Sequence, residues 1–158
     1  MEYRNSMIRM AALLLIAGLM AVISPLVQAT EARTLVLVAA NSKSEFNLSG
    51  TEARRLFLGL PVAKENRPLV ALINHTDSLL YQVFLQKIIF MSANTYERQL
   101  LANVARQGGQ RPRYYTDWQE LLSALRAQPE GVAYMWREQI PADAGLVVVA
   151  EIWRLGVD

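Results

Sequence analysis

The sequence predicts an α/β fold, in which a mixed, mostly parallel sheet is covered by helices on both faces. Residues 34–40 and 69–73 are continuous apolar runs rich in β-branched side chains, as is typical of strands buried on both faces. Segments with capping signals and helical spacing of apolar residues separate these runs. Strands that alternate with helices favour a sheet with helices packed on both sides.

The first predicted helix runs from Ser49 to Leu58. Ser49 can cap its first turn, and Glu52 stands three residues later as the partner of a capping box. Gly59 allows the left-handed turn that ends a helix. The apolar side chains at helical spacing are Ala53, Leu56, Phe57 and Leu60. We therefore expect an amphipathic helix directly after the first strand and its polar loop.

Two more helices are predicted after the second strand. Thr76 or Asp77 caps the earlier one, and Ser92 caps the later one, which stops at residues 108–109. The side chains expected to face inward are Leu79, Leu80, Val83, Phe84 and Ile88 in the earlier helix, and Tyr96, Leu100, Leu101 and Val104 in the later one.

The remaining chain predicts one helix and two strands. Residues 110–115 form an irregular basic connection with room for a short strand. Thr116 and Gln119 have the spacing of a second capping box, which opens a helix that ends before Pro129. Residues 131–136 and 146–152 are apolar runs that indicate the last strands, and residues 61–68 are expected to form a loop.

Residues 1–29 have the pattern of an export signal. Arg4 and Arg9 are its positive region, residues 10–23 are apolar, and Ala29 ends a cleavage motif of small residues. The apolar run is shorter than the roughly 20 residues of a membrane span. We expect cleavage after Ala29 and a periplasmic protein that meets the membrane only through this segment; an uncleaved anchor is the alternative.

Residues 30–158 are predicted to form a single domain, large enough for its own hydrophobic core. The chain has no cysteine, which excludes disulfides, lipid attachment through cysteine and thiol catalysis. Its formal net charge is only +2, and no run of Lys and Arg occurs. The composition therefore does not predict a nucleic-acid-binding protein.

The motifs of common enzymes are missing from this sequence. His75 is the only histidine, so a site with several histidine ligands for a metal is excluded. There is no nucleophile elbow, no phosphate-binding loop and no dinucleotide motif. We predict a non-enzymatic protein without cofactor or metal; a hydrolase that pairs His75 with Asp77 and a serine is a remote alternative.

Polar residues follow the first two strands and form the predicted ligand site. These residues are Asn41 and Ser42 after the first strand, and Asn74, Thr76, Asp77 and Ser78 after the second. Ligands of open α/β sheets collect at the carboxyl ends of strands, and a helix N-terminus attracts anions. We therefore predict a site for a small oxyanion. The alternative is that residues 76–78 only cap their helix.

Several segments, taken in order, resemble one family. They are the strand at residues 34–40, the capped helix that ends in Leu56-Phe57-Leu58-Gly59, the strand–loop–helix at 69–85, residues 107–112, the helix at 117–125, and residues 128–135. Together they look like the phosphate-binding periplasmic proteins, and more closely like the short single-lobe relatives labelled as substrate-binding proteins of phosphate ABC transporters.

The resemblance implies a type 2 periplasmic-binding fold, in which two α/β lobes clamp a ligand. This chain has about half the usual length and would form one lobe. The resemblance further implies a solute-binding protein whose ligand is a small oxyanion such as phosphate, and whose partner is an ABC permease or another envelope protein.

The departures from that family suggest a second function. Asp77-Ser78-Leu79 stands where the family has Ser-Gly-Thr, and Ala133 replaces the second glycine of the last motif. An envelope protein-interaction module that has kept the lobe and lost the ligand is the alternative. Its contact surface would use the aromatic and basic residues Arg111, Arg113, Tyr114, Tyr115 and Trp118.

Overall fold

The computed structural model describes residues 32–40, 46–108 and 111–155. The predicted export signal and the predicted site residues Asn41 and Ser42 lie outside these ranges. From Ala32 onward the chain forms one compact unit. None of the helices within the described ranges is long and apolar enough to cross a membrane.

The described chain has seven strands and four α-helices, which follow the predicted order. The strands are β1 (Thr34–Ala40), β2 (Ala63–Lys64), β3 (Arg67–Pro68), β4 (Val70–Asn74), β5 (Arg113–Tyr115), β6 (Gly131–Trp136) and β7 (Leu146–Arg154). The helices are α1 (Gly50–Phe57), α2 (Ser78–Phe84), α3 (Ala93–Gln107) and α4 (Trp118–Ala127). A π-helical turn at Leu85–Ile89 extends α2, and β2 and β3 form a hairpin within the predicted loop 61–68.

Five strands form a mixed sheet in the order β5-β4-β6-β1-β7. Strand β4 is parallel to both β5 and β6, whereas β1 is antiparallel to β6 and to β7. The predicted mixed sheet is thus confirmed. Four of the five strands run in the same direction, as expected of a mostly parallel sheet, but β1 opposes them, so two of the four strand pairings are antiparallel.

The reversed β1 also separates two strand ends that were expected to meet. Ala39 pairs with Val132 of β6, and Val132 pairs on its other side with Ala71 near the start of β4. The carboxyl end of β1 therefore lies at the same edge of the sheet as the amino end of β4. The carboxyl end of β4 lies at the opposite edge.

Helices cover both faces of the sheet, as predicted. Leu35, Leu37 and Ala39 of β1 pack in a core with α1, α2 and α3, whereas Val36 and Val38 pack in a second core against α4. All five side chains are fully buried. A strand with cores on both faces cannot alternate between polar and apolar residues, which explains its unbroken apolar run.

Helix α1 has the predicted capping box. Ser49 N–H donates to Glu52 Oε2 at 2.9 Å, and Glu52 N–H donates to Ser49 Oγ at 3.2 Å. At its other end, Gly59 has a positive φ of 72°, and a Cβ there would lie 2.9 Å from Leu100 Cδ1. The positive φ favours glycine at this position, and the close side chains of α3 add to that preference.

Two local predictions are wrong. Leu79 and Leu101 were expected to face inward, but each is 48% exposed. Leu80 and Phe84, four residues apart, form the buried face of the short helix α2, and they leave Leu79 on its solvent side. The N-cap of α4 is Asp117 rather than Thr116, because the Asp117 carboxylate accepts the Glu120 N–H at 2.9 Å.

Candidate functional site

The loop that follows β4 is closed by hydrogen bonds within the protein. Asn74 is fully buried, and its Nδ2 donates to Tyr134 O at 3.0 Å. Asn74 Oδ1 accepts the Thr76 N–H at 3.1 Å and the Thr76 hydroxyl at 2.8 Å. Tyr134 Oη donates to Asn74 O at 2.5 Å. The Asn74 Nδ2 group therefore holds the loop against β6, and its Oδ1 atom fixes Thr76 within the loop.

Asp77 is the N-cap of α2, which decides between the two predicted caps. Its Oδ1 accepts the N–H groups of Leu79 and Leu80 at 2.8 and 3.2 Å, and its Oδ2 accepts the Trp136 Nε1–H at 3.1 Å. Burial opposes ionisation of Asp77, but these hydrogen bonds outweigh it and, with the positive charge of Arg33, lower the pKa below its ordinary 3.8.

The predicted oxyanion site depends on main-chain donors that Asp77 already uses. A helix N-terminus binds an anion through its free N–H groups. Here the two N–H groups of Leu79 and Leu80 point at a carboxylate of the protein itself. The Thr76 hydroxyl donates to Asn74, and Ser78 is exposed. Of the predicted site residues, those after β4 lie together, but their geometry is that of a cap.

The carboxyl end of β1 lies away from this loop in the described sheet. Asn41 and Ser42 lie outside the described residues, and Ala40, which precedes them, is at the opposite edge from Asn74. The expectation that two carboxyl strand ends share one edge required parallel strands, and β1 is antiparallel. A site that combines both groups of predicted residues has no support from the described sheet.

His75 is exposed and its ring packs edge-on against Tyr81, with the ring centroids 4.3 Å apart. A hydrolytic triad would need Asp77 to orient the imidazole. Both Asp77 oxygens are bonded to other groups, and within the described ranges no hydrogen bond joins His75 to Asp77. The geometry of these two residues is not that of a triad.

A groove of about 480 Å³ lies at the other end of β4. Its wall includes the amino-terminal part of β4, from Leu69 to Leu72, and the segment 111–113 that leads into β5. Val70 is 43% exposed although β4 is an interior strand of the sheet. The groove therefore leaves the first side chain of β4 partly exposed to solvent.

The predicted contact surface around β5 is only partly exposed. Arg111 and Arg113 are exposed, whereas Tyr115 is buried in the second core and Trp118 packs against that core. The two guanidinium groups lie over tyrosine rings, 5.3 Å from the centroid of Tyr114 and 5.2 Å from that of Tyr115. The tyrosine rings thus hold the two guanidinium groups in place by cation–π contacts. The tyrosines themselves have little exposed surface with which to contact a partner.

No motif in the sequence predicts this groove. Strand β5, which follows the groove-lining residues Arg111 and Pro112, has three residues, which pair with Leu72, Ile73 and Asn74. Pro112 directly precedes the strand, and proline lacks the N–H that a strand would donate. That proline is the one signal in the sequence that could have placed the start of β5 at Arg113.

Phe90 is a second exposed apolar residue that the sequence did not single out. It is 65% exposed and ends the π-helical turn with a positive φ of 58°, which is unusual for a bulky side chain. Arg54 Nε donates to Ile89 O at 3.2 Å, and its guanidinium lies 5.7 Å from the Phe90 ring centroid. These contacts hold the aromatic ring at the surface.

Among the described residues, no group of three His, Cys, Asp or Glu side chains is placed to hold a metal ion. Comparison of the chain with family models, with curated proteins and with solved structures gives no match. The resemblance to phosphate-binding periplasmic proteins therefore stays a prediction from the sequence, and the function must be argued from the geometry of the two ends of β4.

Proposed function

We propose that this chain is an exported, non-enzymatic protein-interaction module of the cell envelope. It uses one α/β lobe of the type 2 periplasmic-binding kind without the oxyanion site. The observation that carries the proposal is the Asp77 carboxylate, which accepts two N–H groups of the first turn of α2, those of Leu79 and Leu80, at the place where the sequence predicts an oxyanion. A bound oxyanion would have to displace this carboxylate and would be repelled by it.

A single lobe also provides only one wall for a small ligand. Binding sites for small molecules bury most of the ligand surface between facing walls. The loop 74–78 lies at one edge of the described unit, and its hydrogen bonds are directed inward to Tyr134 and Trp136. The exposed features of this unit are instead those that contact proteins: arginines held by aromatic rings and apolar side chains at the surface.

The loss of oxyanion binding is tested by calorimetry. The protein, purified after expression of the full chain, is titrated with phosphate and with sulfate. We expect no saturable heat at millimolar anion, because Asp77 already accepts the Leu79 and Leu80 N–H groups and its negative charge opposes a second anion. Saturable binding of either anion in the micromolar range would contradict the proposal and favour the alternative of a solute-binding protein.

The interaction role is tested by cross-linking in the native host. A photoreactive amino acid replaces one exposed residue at a time, at Val70, Phe90, Arg98 or Val148, which lie on different elements. We expect one defined envelope protein to be cross-linked from at least one position and not from all of them. If every position gives no cross-linked protein, the chain is not an interaction module.

A further inference from the structure

Phe90 stands at the surface in a backbone conformation that costs free energy. The π-helical turn Leu85–Ile89 ends at Phe90, whose φ of 58° and ψ of 38° are left-handed. A residue with a Cβ adopts this conformation at a cost, and an aromatic ring in water forgoes the stabilisation of burial. Phe90 is 65% exposed. Because backbone strain and π-helical turns are frequent at functional sites, the position of Phe90 indicates a contact with a partner.

Cations surround the Phe90 ring. The Arg54 guanidinium lies 5.7 Å from the ring centroid, and its Nε donates at 3.2 Å to the main-chain oxygen of the residue before Phe90. A groove of about 420 Å³ on one side has Arg54, Arg55 and Met91 in its wall. A second groove, of about 280 Å³, has Lys87 and Phe90 in its wall. These five residues form the Phe90 surface.

The positive charge of the Phe90 surface is not balanced by carboxylates. Within the described ranges, none of its three cations has a carboxylate oxygen within 4.0 Å. The Lys87 ammonium instead lies 5.1 Å from the centroid of the Trp153 ring. Glu151 is the one carboxylate among the described residues in the walls of the two grooves, and it is bound by Arg137 at 2.7 Å and by Arg154 at 3.0 Å. The surface therefore attracts an anionic partner.

An aromatic ring among unpaired cations fits an anionic lipid surface better than a protein. Such a lipid surface attracts Lys and Arg, whose long side chains extend their charges to the level of the headgroups. Aromatic rings are favoured in the same interfacial region, next to the acyl chains. Protein interfaces, by contrast, are depleted of lysine and match charges of both signs. The described part of the Phe90 surface offers cations and apolar groups only.

We infer that the Phe90 surface docks this protein on a membrane that contains anionic phospholipids. The Phe90 ring enters the interfacial region, and the side chains of Arg54, Arg55 and Lys87 contact lipid phosphates. One aromatic ring and three cations make this contact weak and reversible. The inference does not depend on the proposed interaction function, and it goes beyond the prediction that only residues 1–29 meet the membrane.

The test is cosedimentation of the protein, purified after expression of the full chain, with lipid vesicles. One set of vesicles contains phosphatidylcholine alone, and the other contains equal parts of phosphatidylcholine and anionic phosphatidylglycerol. We expect a Kd below about 1 mM lipid for the anionic vesicles and at least about tenfold weaker binding to the neutral ones. Raising the salt from about 0.1 M to about 1 M should weaken binding at least about tenfold, because the Debye length falls from about 10 Å to about 3 Å.

Two matched pairs of variants locate the contact. Phe90→Ala should weaken binding to the anionic vesicles at least about fivefold, whereas Leu101→Ala, at a side chain of α3 that is 48% exposed, should weaken it less than about twofold. Arg55→Glu should weaken binding at least about tenfold. Arg113→Glu makes the same change on β5, at the opposite edge of the sheet from β7, and should weaken binding less than about threefold. All four side chains are exposed, so circular dichroism should show the same fold in each variant.

Three results would overturn the inference. They are equal binding to the two kinds of vesicle, no binding to the anionic vesicles, and binding that Phe90→Ala and Arg55→Glu leave unchanged. The last result would mean that another part of the chain contacts the lipid. If a protein is cross-linked from Phe90 while the vesicles do not bind, the Phe90 surface contacts a protein partner, and the proposed interaction function holds without the membrane contact.

Discussion

The two ends of strand β4 differ in how they use their polar groups. At the carboxyl end, Asn74 and Asp77 direct their side-chain atoms to Tyr134, Trp136 and the first turn of α2. At the amino end, Val70 is half-exposed and Arg113 lacks a carboxylate partner among the described residues. A polar loop after a strand is therefore not by itself a ligand site, since what matters is whether its groups remain available.

The largest expected difference between the two ends is in their contribution to stability. Ile73→Ala, in the buried part of β4, should lower the free energy of unfolding by about 2–5 kcal/mol because it leaves a cavity in the core. Val70→Ala, three residues earlier, should lower it by less than about 1 kcal/mol, because Val70 is already 43% exposed. Urea denaturation of both variants measures the difference. Equal losses of unfolding free energy in the two variants would mean that the Val70 side chain is buried in solution.

The closed end should depend strongly on the Asn74 amide. Asn74→Ala removes the donor to Tyr134 O and the acceptor for Thr76, and it should lower the free energy of unfolding by about 2–3 kcal/mol, because buried groups lose their partners. Asn94→Ala, at an exposed asparagine of α3, is the control and should change stability by less than about 0.5 kcal/mol. If Asn74→Ala has no larger effect than the control, the loop is open and the oxyanion prediction regains support.

The smallest expected effect is the dependence of stability on the charge of Asp77. Its pKa is lower in the folded protein than the ordinary 3.8, so the charged form contributes stability that is fully present above 3.8 and is lost as the pH falls through the lowered value. Asp77→Asn should cost about 1 kcal/mol at pH 7. Denaturation between pH 7 and pH 2 should show the two proteins converging in acid. If the difference in unfolding free energy between the two proteins does not change with pH, the charge of Asp77 does not contribute to stability.

The local elements of this protein could be read from the sequence because their signals are local. Ser49 and Glu52 form the predicted capping box, and the apolar run of β1 indicated a strand buried on both faces. Such signals involve residues within a few positions of one another, so they need no knowledge of the rest of the chain. The class of fold, a mixed sheet with helices on both faces, followed from the order of these elements.

The direction of strands and the ends of their pairing were decided by the tertiary structure. The apolar run of residues 34–40 is compatible with either direction, and only pairing with β6 and β7 makes β1 antiparallel and moves its carboxyl end away from Asn74. Likewise, the pairing of β4 with β5, which begins at Arg113 on a distant part of the chain, starts only at Leu72. The sequence by itself determined where polar residues follow a strand, whereas long-range pairing determined which of their groups stay free, because hydrogen-bond partners are set by contacts far apart in sequence.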